Sequence, residues 1–461
     1  MKKNTSDSGL KPSVATPDPY DPALFTDLYE LTMLQAYFHE KMTHEAVFSL
    51  FVRKLPSERN FLLACGLDTV LDYLENLEFT PDSLAYLRSL GRFSESFLEW
   101  LGNFRFTGSV RAVPEGTPVF ANEPILEISA PLPQGQIIET FVMNQIHLQT
   151  LLASKARRVV TAARGRAVVD FGARRMHGLD AALKAARAFH VAGVAATSNV
   201  LAGKYYRLPV TGTMAHSYIQ AHDDETGAFK AFLDSFPETV LLVDTYDTLE
   251  GIRKIIELAA ILGKDFKVKG VRLDSGDLPA LSRDVRKALD HAGLQQVEIF
   301  ASGNLDEYRI TELLAAGAPI NGFGVGTHMG VSIDVPSVDI VYKLCEYGGE
   351  GKLKLSSGKP VLPGAKQVFR TQQGGRFDKD VIGCMDEDLP GTPLLEPVMH
   401  NGQRLPAGTR DLNAIRDYAE QQMGLLPDSV AGIHPPDFPY PVEISRRLAS
   451  LQQRIKKNLT E

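Results

Sequence analysis

The residues best placed to do chemistry in this 461-residue chain lie in short polar stretches, each following an apolar, strand-like run. Thr211-Gly212-Thr213-Met214-Ala215-His216-Ser217-Tyr218 follows Leu208-Pro209-Val210 and presents a single histidine, the side chain whose ordinary titration lies nearest neutral pH. Val271-Arg272-Leu273-Asp274-Ser275-Gly276-Asp277 sets an arginine and two carboxylates around a tight turn. The arginine fork suits a planar carboxylate, and Asp274 with Asp277 offers oxygen ligands for magnesium. Asp170-Phe171-Gly172-Ala173-Arg174-Arg175-Met176-His177 adds an aromatic face for a flat ring and two cations for phosphate. Ser302-Gly303-Asn304 and Gly324-Val325-Gly326-Thr327 present unobstructed backbone N–H groups beside hydroxyls, the parts of a phosphate cradle.

Each stretch also has a plainer reading. His216 alone could be a partly buried structural histidine, the glycine-rich segments simple turns, and residues 271–277 a salt-bridged turn whose Asp277 caps the next helix. His177 has no distinct role beyond a polar loop position. Absences narrow the field further: the chain has no Gly-x-x-x-x-Gly-Lys-Ser/Thr loop, no Gly-x-Ser-x-Gly elbow and no His-Glu-x-x-His.

The elements that must position these residues follow from the apolar rhythm. Beyond Ile137 a long helix pattern runs to about Ala163, with Arg157, Arg158 and Arg164 toward its end where basic residues complement the helix dipole. Short β-runs then alternate with helices: 167–172, the helix 180–190, a run near 191–196, 240–245, the helix 249–262 opened by Asp247 and Glu250 at capping-box spacing, 268–273, 297–300 and 320–323. Repeated strand–helix units imply parallel strands. Because polar residues load the C-terminal end of nearly every strand, a barrel is favoured over an open sheet with one switch point. The flanks differ. Residues 22–135 mix helices with short strands as an α+β domain, 136–345 carry the barrel, and 346–461 are expected to fold back onto the first domain. Residues 1–21, rich in Lys, Ser, Asp and Pro, are expected to be a mobile tail.

Composition sets the outer limits. Forty-nine Lys and Arg against fifty-six Asp and Glu leave a net charge of −7 without long blocks, which gives no general nucleic-acid surface. Cys65, Cys345 and Cys384 are far apart and form no CxxC pair, so neither a disulfide framework nor a zinc site is indicated, and the cytoplasm is the expected compartment. No apolar run is long enough to span a membrane.

Taken together and in order, Asp27-Leu28-Tyr29-Glu30-Leu31-Thr32-Met33, Phe171-Gly172-Ala173-Arg174-Arg175, Gly212-Thr213-Met214-Ala215-His216-Ser217, Val243-Asp244-Thr245-Tyr246, Val271 to Asp277, Gly324 to Thr327 and Val341-Tyr342-Lys343-Leu344 resemble the blocks of the nicotinate phosphoribosyltransferases. That resemblance implies an irregular TIM-like α/β barrel of the type II phosphoribosyltransferase kind with a mixed α+β domain. It also implies a homodimer whose partner supplies part of the site. The implied reaction joins nicotinate to 5-phosphoribosyl 1-diphosphate, giving nicotinate mononucleotide and diphosphate, with ATP as co-substrate and magnesium as cofactor.

On the same resemblance His216 is the transiently phosphorylated histidine, and Tyr29, Thr213 and Arg272 contact nicotinate while Phe171 stacks on its ring. Ser302, Gly303, Gly324, Gly326 and Thr327 take the sugar phosphate, with Arg174 and Arg175 beside the substrate phosphates. Asp274 and Asp277 stand on the metal or cation side. Ser198, where related nicotinamide enzymes carry an aspartate, favours nicotinate over nicotinamide, since an added anion would repel the carboxylate. Three other readings stay open: a nicotinamide enzyme, a quinolinate enzyme needing more basic residues, and a non-catalytic pyridine-nucleotide sensor. An aldolase-type barrel would need a strand-end lysine, for which only Lys269 is near.

Overall fold

The computed structural model describes residues 21–355 and 361–461. The tail expected over residues 1–21 lies outside the described residues, apart from Asp21. Six short parallel strands form the catalytic half: β1 (Ala167–Asp170), β2 (Ala196–Thr197), β3 (Val240–Leu242), β4 (Gly270–Leu273), β5 (Glu298–Ser302) and β6 (Gly322–Val325). Their spatial order is β2-β1-β6-β5-β4-β3, so chain neighbours from β3 to β6 are also neighbours in space and β6 returns to lie beside β1. That cyclic order is the one a barrel requires. A single bridge from Thr197 to Val210 extends the row, and among the described residues no ladder joins Val210 to β3. The expected α/β barrel is therefore present as a curled sheet that remains open on that side.

These strands are buried on both faces, which is why they read as nearly continuous apolar runs: Val168, Leu241, Val271, Ile299 and Phe323 are all at most 2% exposed. Helices cover them from outside through one apolar stripe each. Leu278–His291 buries Leu278, Val285 and Leu289, and its first turn is capped by Asp277, whose side chain accepts from the Ala280 N–H at 3.1 Å. Asp247 caps Thr248–Leu262 in the same way through Glu250 N–H at 2.8 Å. The run near 191–196 is shorter than expected, because Val191 ends the helix Leu179–Val191 and only Ala196–Thr197 pair as a strand.

The second half is built on a seven-stranded sheet in the order Glu350–Gly351, Ile340–Tyr347, Glu45–Val52, Pro124–Pro131, Ser109–Ala112, Glu396–His400 and Gln403–Arg404. Grouping residues up to 345 with the barrel needs correction. Ile340–Tyr347 pairs antiparallel with Glu45–Val52, so it extends the N-terminal sheet rather than the parallel one. Glu396–His400 pairs with Ser109–Ala112, so both ends of the chain share this sheet. A four-stranded sheet of Thr392–Pro393, Lys366–Gln373, Arg376–Cys384 and Val442–Ile444 lies in the C-terminal part. There Tyr440 stacks on Phe120 at 4.0 Å between centroids and donates its hydroxyl to Asp380 at 3.0 Å, which anchors the proline-rich segment before it.

The helix Glu139–Ala162 runs between the halves and is buried along most of its length. Its basic end does not serve the helix dipole. Arg158 and Lys155 instead pair with Glu307 at 2.7 and 2.6 Å, Arg157 pairs with Glu420, and Arg164 lies beyond the helix in a left-handed conformation. Buried charges need partners, and these come from other elements. The three cysteines are buried and unpaired. Among the described residues no helix is long and apolar enough to cross a membrane.

Candidate active site

The C-terminal ends of the parallel strands open into one cavity of about 700 Å³. Phe171, Arg174 and Arg175 enter it after β1, Ser198 after β2, and Thr213 and His216 after Val210. Arg272 and Asp274 come from β4, Ser302 and Gly303 from β5, and Gly324, Gly326 and Thr327 from β6. Residues as far apart in the chain as Phe171 and His328 thus share one surface, because all the parallel strands but β3 deliver polar ends to it.

Arg272 is the best-held cation. Its Nη1 donates to Thr213 Oγ1 at 2.5 Å, its guanidinium carbon lies 5.9 Å from the centre of the Phe171 ring, and Nη2 is 3.9 Å from Asp274 Oδ1. Its Nε is buried without a partner. Burial, opposed by Asp274 and Asp244, lowers its pKa from the usual arginine value, yet guanidinium stays charged in proteins. Nη2, which makes no hydrogen bond among the described residues and is not among the buried atoms, is the donor that the fork leaves to the cavity.

Phe171 is free to lie across the cavity because position 324 is glycine: a Cβ there would stand 2.5 Å from the Phe171 ring. Asp170 fixes the turn from below. This fully buried carboxylate accepts from Gly172 N–H and from Thr197 Oγ1, both at 2.7 Å, and burial raises its pKa despite those bonds.

His216 opens the short helix His216–Gln220. Its Nδ1 is 3.1 Å from Thr245 Oγ1, and its Nε2 is 3.9 Å from Asp274 Oδ2. Asp274 is itself positioned on two sides. Ser302 Oγ donates to its Oδ1 at 2.6 Å, and its backbone N–H donates to Asp244 Oδ2 at 2.8 Å, which also takes the Ser275 hydroxyl at 2.9 Å. Ser302 therefore directs its proton to Asp274 in this arrangement. On the opposite wall Arg175 Nη1 donates to Thr327 Oγ1 at 3.1 Å.

Two expected site residues are not brought here. Asp277 is exposed and committed to its helix cap, so it does not line the cavity. Tyr29 sits on the helix Leu28–Glu40 of the other half, 47% exposed and outside the cavity lining. Burial and the carboxylates of Glu139, Glu30 and Asp27 raise its phenol pKa. Beside it, burial lifts the Glu30 carboxyl to about 7 against hydrogen bonds from Thr140 and Thr26. Lys269 precedes β4 and pairs with Glu238 at the surface, far from a strand-end amine in the cavity.

Sequence reasoning missed Asp170, Asp244, Thr245 and His328. The first three lie in the Val-Asp-Phe and Val-Asp-Thr strand ends and act through hydrogen bonds, buried at Asp170 and partly exposed at Asp244 and Thr245, which no spacing announces. His328 follows the glycine-rich turn directly and lines the cavity.

Models of the nicotinate phosphoribosyltransferase N-terminal domain, family and C-terminal domain match residues 24–147, 166–389 and 387–452. The chain is 54% identical over 434 residues to nicotinate phosphoribosyltransferase pncB2 of Mycobacterium tuberculosis, covering 94% of each. To nicotinate phosphoribosyltransferase of Bacillus subtilis it is 37% identical over 483 residues, covering 95% of this chain and 98% of the relative. Its fold superposes on the crystal structure of human nicotinic acid phosphoribosyltransferase with a TM-score of 0.84 at 27% identity, over 93% of this chain and 99% of that one. The nicotinate-nucleotide pyrophosphorylase from Pyrococcus furiosus follows at 0.73 and 25%, over 89% and 97%. The barrel, its loaded strand ends and these matches agree: the chain belongs to the nicotinate phosphoribosyltransferase family.

Proposed function

We propose that this protein joins nicotinate to 5-phosphoribosyl 1-diphosphate, releasing diphosphate and forming nicotinate mononucleotide for NAD biosynthesis, with ATP hydrolysis coupled through His216. The observation that carries this reading is Arg272, a charged fork held by Thr213 through Nη1, with Nη2 left to the cavity beside an aromatic face. A planar carboxylate on an aromatic ring fits that fork and that face together. The ring nitrogen attacks C1 of the sugar as the C1–O bond to diphosphate breaks, so positive charge develops on the sugar and negative charge on the leaving group. The side chains need only orient the two substrates and match those charges. Arg174 and Arg175 stand on the phosphate side, and Asp274 faces the cationic sugar.

Magnesium fits the site as a companion of the substrate. Among the described residues no group of three or more His, Cys, Asp or Glu side chains is arranged to hold a metal, and Asp274 is the single carboxylate in the cavity lining. Asp274 would therefore be the one cavity carboxylate to meet a substrate-borne cation, which would supply neutralisation of leaving-group charge. For ATP coupling, Nδ1–H of His216 donates to Thr245 and leaves Nε2 as the nucleophile. Nε2 takes the terminal phosphoryl group while ADP departs, and water later cleaves the P–N bond to release phosphate.

Formation of nicotinate mononucleotide from the two substrates tests the reaction, and its absence overturns it. Specificity has its own test. Ser198 lines the cavity, and Ser198→Asp is expected to move relative kcat/KM toward nicotinamide by about tenfold, a shift of the size one misplaced charge produces. An unchanged ratio removes Ser198 from the account.

We further propose a homodimer in which Tyr29 serves the cavity of the neighbouring subunit. In support, the exposed apolar residues Leu179, Val200, Leu201 and Tyr205 lie on the helices after β1 and β2, and Phe25, Leu28 and Tyr29 are exposed on the other half. Inactive Tyr29→Ala and Arg272→Ala proteins, refolded together, should regain about one quarter of parental activity, because one mixed site in each heterodimer is intact. No recovery would place Tyr29 in its own chain or outside the reaction.

A further inference from the structure

His328 has no part in the reading above, yet it sits where a substrate phosphate would lie. It immediately follows Thr327 on the turn after β6 and lines the cavity. The ring is oriented. Nδ1 is buried without a hydrogen-bond partner, and the nearest carboxylate oxygen, Asp306 Oδ2, is 3.5 Å away. About a quarter of the side chain remains exposed, and since Nδ1 is not part of that quarter, the edge open to the cavity is the one that carries Nε2.

Asp306 cannot drift from this position, because its Oδ1 accepts from Arg309 N–H at 2.7 Å as the cap of the helix Glu307–Ala315. The other charged groups nearby are already engaged: Arg175 donates to Thr327, and Lys155 on the long helix packed behind the turn is paired with Glu307 and Asp334.

We propose that His328, oriented by Asp306, is a ligand for a phosphate of the phosphoribosyl substrate and takes up a proton as that substrate binds. The proposal rests on the transferase reading. A phosphate oxygen at Nε2 and the Asp306 carboxylate at Nδ1 are both acceptors, so both ring nitrogens must donate, which only imidazolium can do. The 3.5 Å separation then shortens to a charge-assisted bond. Coupling to the proton makes substrate affinity fall as pH rises through the range where imidazole titrates.

The test compares the parent, His328→Gln and Asp306→Asn, the last retaining a side-chain oxygen for the helix cap. For His328→Gln, KM for 5-phosphoribosyl 1-diphosphate should rise about tenfold, the size of one charge-assisted hydrogen bond, with kcat and the nicotinate KM nearly unchanged. Between about pH 6 and about pH 8 the parent's KM for that substrate should climb more steeply than the variant's. Calorimetric binding of 5-phosphoribosyl 1-diphosphate in two buffers of different ionisation enthalpy should show greater proton uptake for the parent than for His328→Gln, with Asp306→Asn between them. Equal KM values and equal proton uptake overturn the proposal. So does a rise in both KM values accompanied by a lower Tm, which marks a structural role. A parent that binds the substrate but does not turn over nicotinate counts against the transferase reading, while the calorimetric comparison still decides His328.

Discussion

Arg272→Lys is expected to lower kcat/KM for nicotinate about 100-fold while leaving the protein folded. Lysine keeps the charge but presents a point where arginine presents a fork. In the parent one arm of that fork is fixed by Thr213 at 2.5 Å and Nη2, neither hydrogen-bonded nor buried, is the second donor available to a carboxylate. Losing the paired geometry removes a charge-assisted bond and its alignment, roughly 2–3 kcal/mol of transition-state stabilisation. Because the ring is also positioned through this anchor, the loss should appear in kcat as well as KM. Arg272→Ala should be worse, since the nicotinate carboxylate would enter a half-buried cavity without a counter-charge. Steady-state kinetics with nicotinate varied at saturating phosphoribosyl substrate decide the matter, and a Lys variant within threefold of the parent would remove the carboxylate assignment.

Gly303→Ala should be nearly as severe, although no side chain is lost. Gly303 has φ +86°, and a Cβ there would stand 2.0 Å from the Asp274 carbonyl oxygen. Alanine meets both a left-handed backbone and a backbone clash, so the turn after β5 must move away from the one after β4. The Ser302–Asp274 bond spans those two turns, and with it goes the position of Asp274 opposite His216 and Arg272. A fall in kcat of about 100-fold and a loss of about 2–4 kcal/mol in unfolding free energy are expected. Gly424→Ala is the control: nothing lies within 4 Å of its Cβ, it lies in the helix Leu412–Leu425, and it should lose neither stability nor activity. Parental kcat in Gly303→Ala would mean that the turns tolerate displacement and that Asp274 is not held for chemistry.

The barrel was legible in the sequence because its strands are buried on both faces and end abruptly in polar residues, as Val168-Val169-Asp170 and Val271-Arg272-Leu273-Asp274 do. The same rule misassigned Ile340–Tyr347, since an apolar run at the end of a series of parallel strands carries no mark of which sheet it will join. Its partner, Glu45–Val52, lies almost 300 residues earlier. Asp277 illustrates a different limit. A carboxylate opening a helix and one facing a cavity have the same sequence context, and only the Ala280 N–H decides between them. Arg157 and Arg158 could be placed near a helix end, but Glu420 and Glu307 claim them from other elements. The positioning carboxylates Asp170 and Asp244 were hidden because they work through hydrogen bonds to other turns. Tyr29 was assigned by resemblance alone, and within one chain it stands apart from the cavity.

The most direct test of the central claim is diphosphate release from 5-phosphoribosyl 1-diphosphate with nicotinate, nicotinamide or quinolinate, each with and without ATP, for the parent and for His216→Ala. Release is expected with nicotinate as the preferred acceptor, stimulated by ATP in the parent and not in the variant. Preference for nicotinamide or quinolinate would contradict the Arg272 and Ser198 assignments. ATP stimulation that survives in His216→Ala would contradict the phosphohistidine, and no release with any acceptor would contradict the transferase reading itself.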